Sequence, residues 1–148
     1  MPNDCYNVIY SIEHDNPDVM IRLKNSLKQD PPVFFAEFLP CPENEHPTSY
    51  WGTKWDVYDV YMLEDNDDVL QISFYTAWSP PLAAYALLKT LGFTIEANFM
   101  EYGADFCGYW KDGIETIYEN VHDNLHNVPE EFHYYFLNDQ DDEDDDED

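Results

Sequence analysis

Val69, Leu70, Ile72 and Phe74 form an apolar alternating run whose period of two predicts a central strand. A few residues later the period changes. Ala84, Leu87, Leu88 and Leu91 recur at i, i+3, i+4 and i+7, one apolar helical stripe that would lie on the sheet. The switch falls at Thr76-Ala77-Trp78-Ser79-Pro80-Pro81. Ser79 can accept hydrogen bonds from the first free helix N–H groups, and Pro80 and Pro81 suit a first turn, where a missing N–H costs nothing. Gly92 then supplies the left-handed conformation that ends a helix. The pattern predicts a strand-to-helix corner with a Trp at its hinge.

Elsewhere, Cys5 to Ile12 is β-branched and aromatic with rough alternation, which predicts a strand. Asn16-Pro17-Asp18 marks a helix start, with Met20, Leu23 and Leu27 on one face and Arg22, Lys24 and Lys28 nearby. Asp30-Pro31-Pro32 stops it. Val33 to Leu39 is apolar enough for a strand or a short core helix, and periodicity leaves both open. Residues 40–50, with Pro40, Pro42 and Pro47 among acids, read as a polar surface loop. Val57 to Leu63 reads as a strand, Glu64-Asp65-Asn66-Asp67-Asp68 as a turn, and Val69 to Thr76 as the antiparallel return. Phe93 to Met100 alternates as an exposed-face strand. Phe106 to Trp110 and Ile114 to Tyr118 form a hairpin in this reading, because Asp112-Gly113 is a strong tight-turn signal. Its rival is a helix carrying Ile114, Ile117, Tyr118, Val121 and Leu125. Pro129-Glu130-Glu131 reads as the first turn of a helix over Phe132 to Phe136.

Length and apolar content allow one domain: 148 residues with 44% hydrophobic and 17% aromatic content can bury a core. The reading assigns 1–137 to that domain and 138–148 to an acidic disordered tail. No apolar run approaches the roughly 20 residues of a membrane span, and the start lacks a signal-peptide pattern. A soluble, cytoplasmic protein without a membrane partner is expected. Cys5, Cys41 and Cys107 are odd in number with no C-x-x-C pair, so free thiols are expected rather than a disulfide framework.

Charge narrows the partners. Six bases face 32 acids, for a net charge of −26; nine of the acids lie at 139–148, and the remaining 23 still leave −17 on 1–138. Such a field repels phosphate, so no direct nucleic acid binding is expected, and basic protein surfaces are the natural partners. Nine carboxylates along an extended ten-residue run stand about 3.7 Å apart at a rise of about 3.3 Å per residue. That is near the roughly 3.4 Å phosphate spacing of one DNA strand.

Four segments carry a resemblance: Met1-Pro2-Asn3-x-Cys5-x-Asn7, Trp51-Gly52-Thr53-Lys54-Trp55-Asp56, Thr76-Ala77-Trp78-Ser79-Pro80-Pro81 and Phe106-Cys107-Gly108. In this order they resemble the YubB ferredoxin-like domain family, found largely in bacteriophages and conjugative plasmids, over roughly residues 1 to 120. The resemblance implies an α+β ferredoxin-like sandwich, an antiparallel sheet with helices packed on one face. It implies no catalytic residue set. The chain departs from the pattern at Asp4, where an aromatic is expected, at Glu101-Tyr102-Gly103-Ala104-Asp105 and in its acidic tail.

Candidate chemistry is sparse. His122 and His126 stand four apart and, if helical, could share a face with Glu119 or Asp123 as metal ligands, but spacing fixes no third ligand and the hairpin reading opposes it. Carboxylate pairs carry no information in so acidic a chain. No Gly-rich phosphate loop or nucleophile elbow is present, so no enzyme and no cofactor is expected. Trp51, Trp55 and Trp78 read first as structural, and otherwise as an aromatic groove for a peptide or small molecule. Lys54 would pair with Asp56 or Asp59, or lie across an aromatic face. The resulting expectation is an inhibitor of a host restriction, CRISPR or repair protein, acting by nucleic-acid mimicry. Its expected acidic binding surface comprises Glu64, Asp65, Asp67, Asp68, Asp139, Asp141, Asp142, Glu143, Asp144, Asp145 and Asp146.

Overall fold

Strand β1 (Asp4–Glu13) runs through the middle of a six-stranded antiparallel sheet, and its alternation decides what each face holds. The computed structural model describes residues 3–66 and 69–137. Helix α1 (Pro17–Leu27) follows β1, then two single-turn helices, α2 (Phe35–Phe38) and α3 (Pro47–Tyr50). Strands β2 (Tyr58–Asp65) and β3 (Leu70–Ala77) form a hairpin, helix α4 (Leu82–Thr90) crosses over, and β4 (Thr94–Glu101), β5 (Phe106–Lys111) and β6 (Ile114–Glu119) form a meander. Two 3-10 turns, Val121–Asp123 and Leu125–Asn127, lead into a helical stretch over 130–137, α5. The strand order is β2-β3-β1-β4-β5-β6. An α+β architecture with an antiparallel sheet is therefore present, and β3 lies one strand in from an edge.

The two faces have separate cores. Ile9, Ile12, Ile72, Phe74, Ile95, Ala97 and Trp110 meet Leu23, Leu27, Phe34, Phe35, Ala84, Tyr85 and Leu88 on the first face, beneath α1, α2 and α4. Each fully buried Phe or Leu there contributes about 1.5–3 kcal/mol. On the second face Val8, Met100 and Cys107 meet Val121, Val128, Phe132 and Phe136. The expectation of helices on one face alone is thus corrected: the C-terminal segment is apolar enough to cover the other face of the β1, β4 and β5 region. For the same reason β4 is no exposed-face strand, since its residues from Ala97 to Glu101 are all buried.

Several local expectations change. Ser79 does not cap α4: its Oγ donates to the Gly52 carbonyl at 2.6 Å, and the helix begins at Leu82 after Pro81. The Ala84 N–H instead donates to the Trp51 carbonyl at 3.0 Å. The buried stripe of α4 is Ala84, Tyr85 and Leu88, whereas Leu87 is half-buried and Leu91 is exposed. Val33 to Leu39 resolves to the short helix α2, and the 40–50 loop contains α3. The β2 strand extends through Asp65, so Glu64 and Asp65 belong to the strand rather than to the turn. The β5–β6 hairpin is present, with Lys111 opposite Ile114 and left-handed Asp112 (φ 48) and Gly113 (φ 92) between them. The helix start expected at Asn16-Pro17-Asp18 is present too, with Asn16 as its N-cap, whose side chain accepts from the Asp18 N–H at 3.0 Å.

Candidate functional site

Asn3, Asn7, Thr53 and Thr76 to Ser79 meet at one end of the sheet. Asn7 Nδ2 donates to Thr76 Oγ1 at 2.9 Å, and that hydroxyl donates to the Ser79 carbonyl at 2.7 Å. Thr53 Oγ1 donates to the Ala77 carbonyl at 2.9 Å, and the Trp78 N–H to the Asn3 carbonyl at 2.8 Å. Gly108 lies opposite Phe99, which lies opposite Asn7, and a Cβ on it would stand 2.0 Å from the Thr116 carbonyl. These residues satisfy the backbone where the sheet, α4 and the 51–57 segment join. Their role is architectural.

The three tryptophans separate in the structure. Trp51 is buried and donates its Nε1–H to the Leu39 carbonyl at 2.8 Å. Trp78 is 49% exposed, in the left-handed conformation at φ 71. Trp55 is 41% exposed and lines a cleft of about 720 Å³ with Pro31, Pro32, Val33, Ala36, Val57 and Tyr58, a set that includes neither Trp51 nor Trp78. Asp4 and Asp56 stand among its lining residues. Lys54 lies 5.3 Å from the centroid of the Trp55 ring rather than against Asp56, whose carboxylate accepts from the N–H groups of Phe34, Phe35, Ala36 and Val57.

From Asp4 a row of tyrosines crosses the second face. Register places Tyr58 opposite Tyr75, and Tyr75 opposite Tyr6. The Tyr58 and Tyr75 rings stack at 6.0 Å, Tyr75 and Tyr6 lie 5.2 Å apart, and Tyr6 stacks on Tyr135 of α5 at 5.7 Å. In the next row Tyr61, opposite Ser73, is 66% exposed. The Tyr58 hydroxyl donates to Asp4 Oδ1; burial, and then that carboxylate, push its pKa up. Asp4 therefore lies between the Trp55 cleft and a second cleft of about 320 Å³, which it lines with Asn3, Tyr75, Glu101, Tyr102, Gly103 and Tyr135. This arc of rings with carboxylates among them is suited to contact with cationic side chains. Sequence reading missed it, because Tyr6, Tyr58 and Tyr75 come from three strands and only their register aligns them.

Of the expected acidic surface, Glu64 and Asp65 fall within the described residues, while Asp67, Asp68 and all the residues named in 139–146 lie outside them. Lys24 Nζ reaches Asp65 Oδ1 at 2.7 Å and holds that carboxyl below its usual range. Glu64 accepts from Asn66 Nδ2 at 3.4 Å. Arg22 pairs with Glu37 at 2.9 Å, Lys89 with Asp112 at 2.5 Å and Lys111 with Glu96 at 3.7 Å. Four of the six bases are thus closed by carboxylates of their own chain.

The two candidate metal histidines stand on successive 3-10 turns, so the helical i, i+4 face they require is not formed. His122 Nδ1 pairs with Asp105 Oδ1, and His126 Nε2 lies 3.2 Å from Asn127 Nδ2. Among the described residues no three His, Cys, Asp or Glu side chains converge as metal ligands, and no helix is long and apolar enough to cross a membrane. Cys5, Cys41 and Cys107 are free thiols.

Compared with models of known families, with curated proteins and with solved structures, the chain matches none.

Proposed function

We propose that this protein inhibits a basic nucleic-acid-handling protein of a bacterial host by occupying the surface on which that protein holds phosphates. The observation that carries the reading is the placement of charge. Arg22, Lys24, Lys89 and Lys111 are each engaged by a carboxylate and Lys54 lies over Trp55, so little positive charge stands free on the surface, and the net charge of −26 rests on carboxylates that outnumber the bases 32 to six. A basic groove would meet carboxylates in place of phosphates, and long-range attraction would speed the encounter. The tyrosine row beside Asp4 supplies flat, amphipathic area of the kind that anchors interfaces.

A relation to YubB ferredoxin-like domains belongs to the same proposal. The chain order β1-α1-β2-β3-α4-β4 with spatial order β2-β3-β1-β4 supports a ferredoxin-like sandwich, extended by β5 and β6 and covered on its second face by α5. A mobile-element origin and a cytoplasmic site of action would follow.

Capture of partners from a bacterial lysate on the immobilised protein, with elution by salt and by duplex DNA, tests the reading. A captured nucleic-acid-binding protein released by both supports it; partners indifferent to both would refute it. A second reading, an adaptor for an apolar peptide, is favoured by the Trp55 cleft, and salt-resistant capture is its signature.

A further inference from the structure

The Glu101 carboxyl is buried yet half used. The residue has no solvent exposure; Oε2 accepts the Ala104 N–H, while Oε1 has no hydrogen-bond partner among the described residues. The Asn3 side chain lies near enough to favour the charged carboxyl but gives Oε1 no hydrogen bond. A buried acceptor left without a donor is costly, and native structures rarely leave one without reason. Glu101 lines the 320 Å³ cleft together with Asp4, Tyr75, Tyr102 and Tyr135. Two of those rings are held by packing: Tyr102 packs on His122 at 4.8 Å and on Phe136 at 6.2 Å, and Tyr135 stacks on Tyr6. The cleft therefore combines one buried and one exposed carboxylate with flat aromatic walls that packing holds in place.

We propose that this cleft binds the guanidinium group of an arginine side chain. A planar fork of N–H donors can lie against a tyrosine ring while donating inward to Glu101 Oε1 and outward to Asp4. A lysine ammonium would satisfy one carboxylate as a point charge but would not use the flat walls in the same way. The inference deepens the proposed function, since arginine is one of the principal side chains with which proteins hold phosphates, and it rests on that reading for the identity of the arginine's owner. The chemistry of the cleft itself does not depend on any partner.

The test uses the full chain, isotopically labelled, titrated with arginine amide, lysine amide and citrulline amide while the Ala104 amide and the tyrosine ring signals are followed by NMR. Citrulline amide keeps the shape of arginine without its charge. Saturable shifts with arginine amide in the millimolar range are expected of so small a probe, with binding at least about fivefold weaker for the other two. Glu101→Gln and Asp4→Asn, checked for an unchanged spectrum elsewhere, should each weaken the arginine response. Absence of saturable shifts, an equal response to citrulline amide or to lysine amide, or undiminished binding in both variants would overturn the assignment. A cleft that binds arginine amide in a protein that captures no nucleic-acid-binding partner would leave this inference standing and refute the proposed function; the reverse pair of results would do the opposite.

Discussion

Removing the Asp56 carboxylate should cost a large part of the protein's stability, although no residue near it in sequence depends on it for a helix. Its Oδ1 accepts from the Phe35 N–H at 3.0 Å and the Val57 N–H at 2.8 Å, and its Oδ2 from the Ala36 N–H at 3.0 Å and the Phe34 N–H at 3.2 Å. Phe34, the residue at the head of α2, makes no side-chain cap of its own, so the cap comes from twenty-odd residues downstream. Loss of a cap costs about 0.5–2 kcal/mol. Phe34 and Phe35 are buried, and an unpaired buried donor adds roughly 1–3 kcal/mol. For Asp56→Ala we therefore expect a loss of about 1.5–5 kcal/mol against a total of about 5–15. Asp56→Asn, which retains one carbonyl acceptor, should lose about 2 kcal/mol. Urea unfolding followed by Trp fluorescence measures both, with Glu43→Ala, at an exposed loop position, as a control expected within about 0.5 kcal/mol. An Asp56→Ala midpoint indistinguishable from that control would refute the capping account.

Leu88→Asp should abolish folding, because Leu88 is fully buried between α4 and the sheet, whereas Leu87→Asp, at a half-buried position, should lower the melting temperature and leave a folded protein; circular dichroism melts compare them. Thiol labelling of the native protein should modify Cys41 and spare the two buried thiols: burial, reinforced by Glu101, pushes the Cys5 pKa up, and burial with Asp105 and Glu131 pushes Cys107 up to about 12. Rapid labelling of all three without denaturant would contradict the assigned cores. Burial, with a smaller contribution from Asp4, also raises the Glu101 pKa above its unfolded value, outweighing the Ala104 N–H and the Asn3 side chain, so the native state holds this proton more tightly. The stability it contributes is complete below the ordinary carboxyl range near about 4 and is lost as pH rises through the raised value. Glu101→Gln should accordingly gain on wild type in urea midpoint between pH 4 and 7, and a constant gap across that range would contradict the shift.

How much of this could be read from residues alone follows from how local each signal is. The β5–β6 turn was legible because Asp112-Gly113 carries its own backbone preference, and α1 because Asn16-Pro17-Asp18 is a self-contained start. The α4 start misled because the first-turn N–H of Ala84 is served by the Trp51 carbonyl, a partner 33 positions away that propensity cannot see. Phe132 and Phe136 advertised a helix but not the face of the sheet they cover, and that face depends on tertiary packing. The site was the least legible part. Trp residues drew attention by size, while the tyrosines that align do so through strand register, and Glu101 looked like one more acid until burial singled it out.

The central claim is that carboxylates of this protein stand where a partner expects phosphates, and the salt dependence of a purified complex tests it most directly. Binding to a captured nucleic-acid-handling protein, measured between about 0.05 and 0.2 M salt, should weaken by at least about tenfold, as screening shortens the range of each charge pair. Duplex DNA should compete for the same site. A chain ending at 138, short of nine acids but still at −17, should associate more slowly, bind with a flatter salt response and keep its fold. Affinities that coincide for the full and shortened chains at every salt concentration, with DNA failing to compete, would contradict the claim.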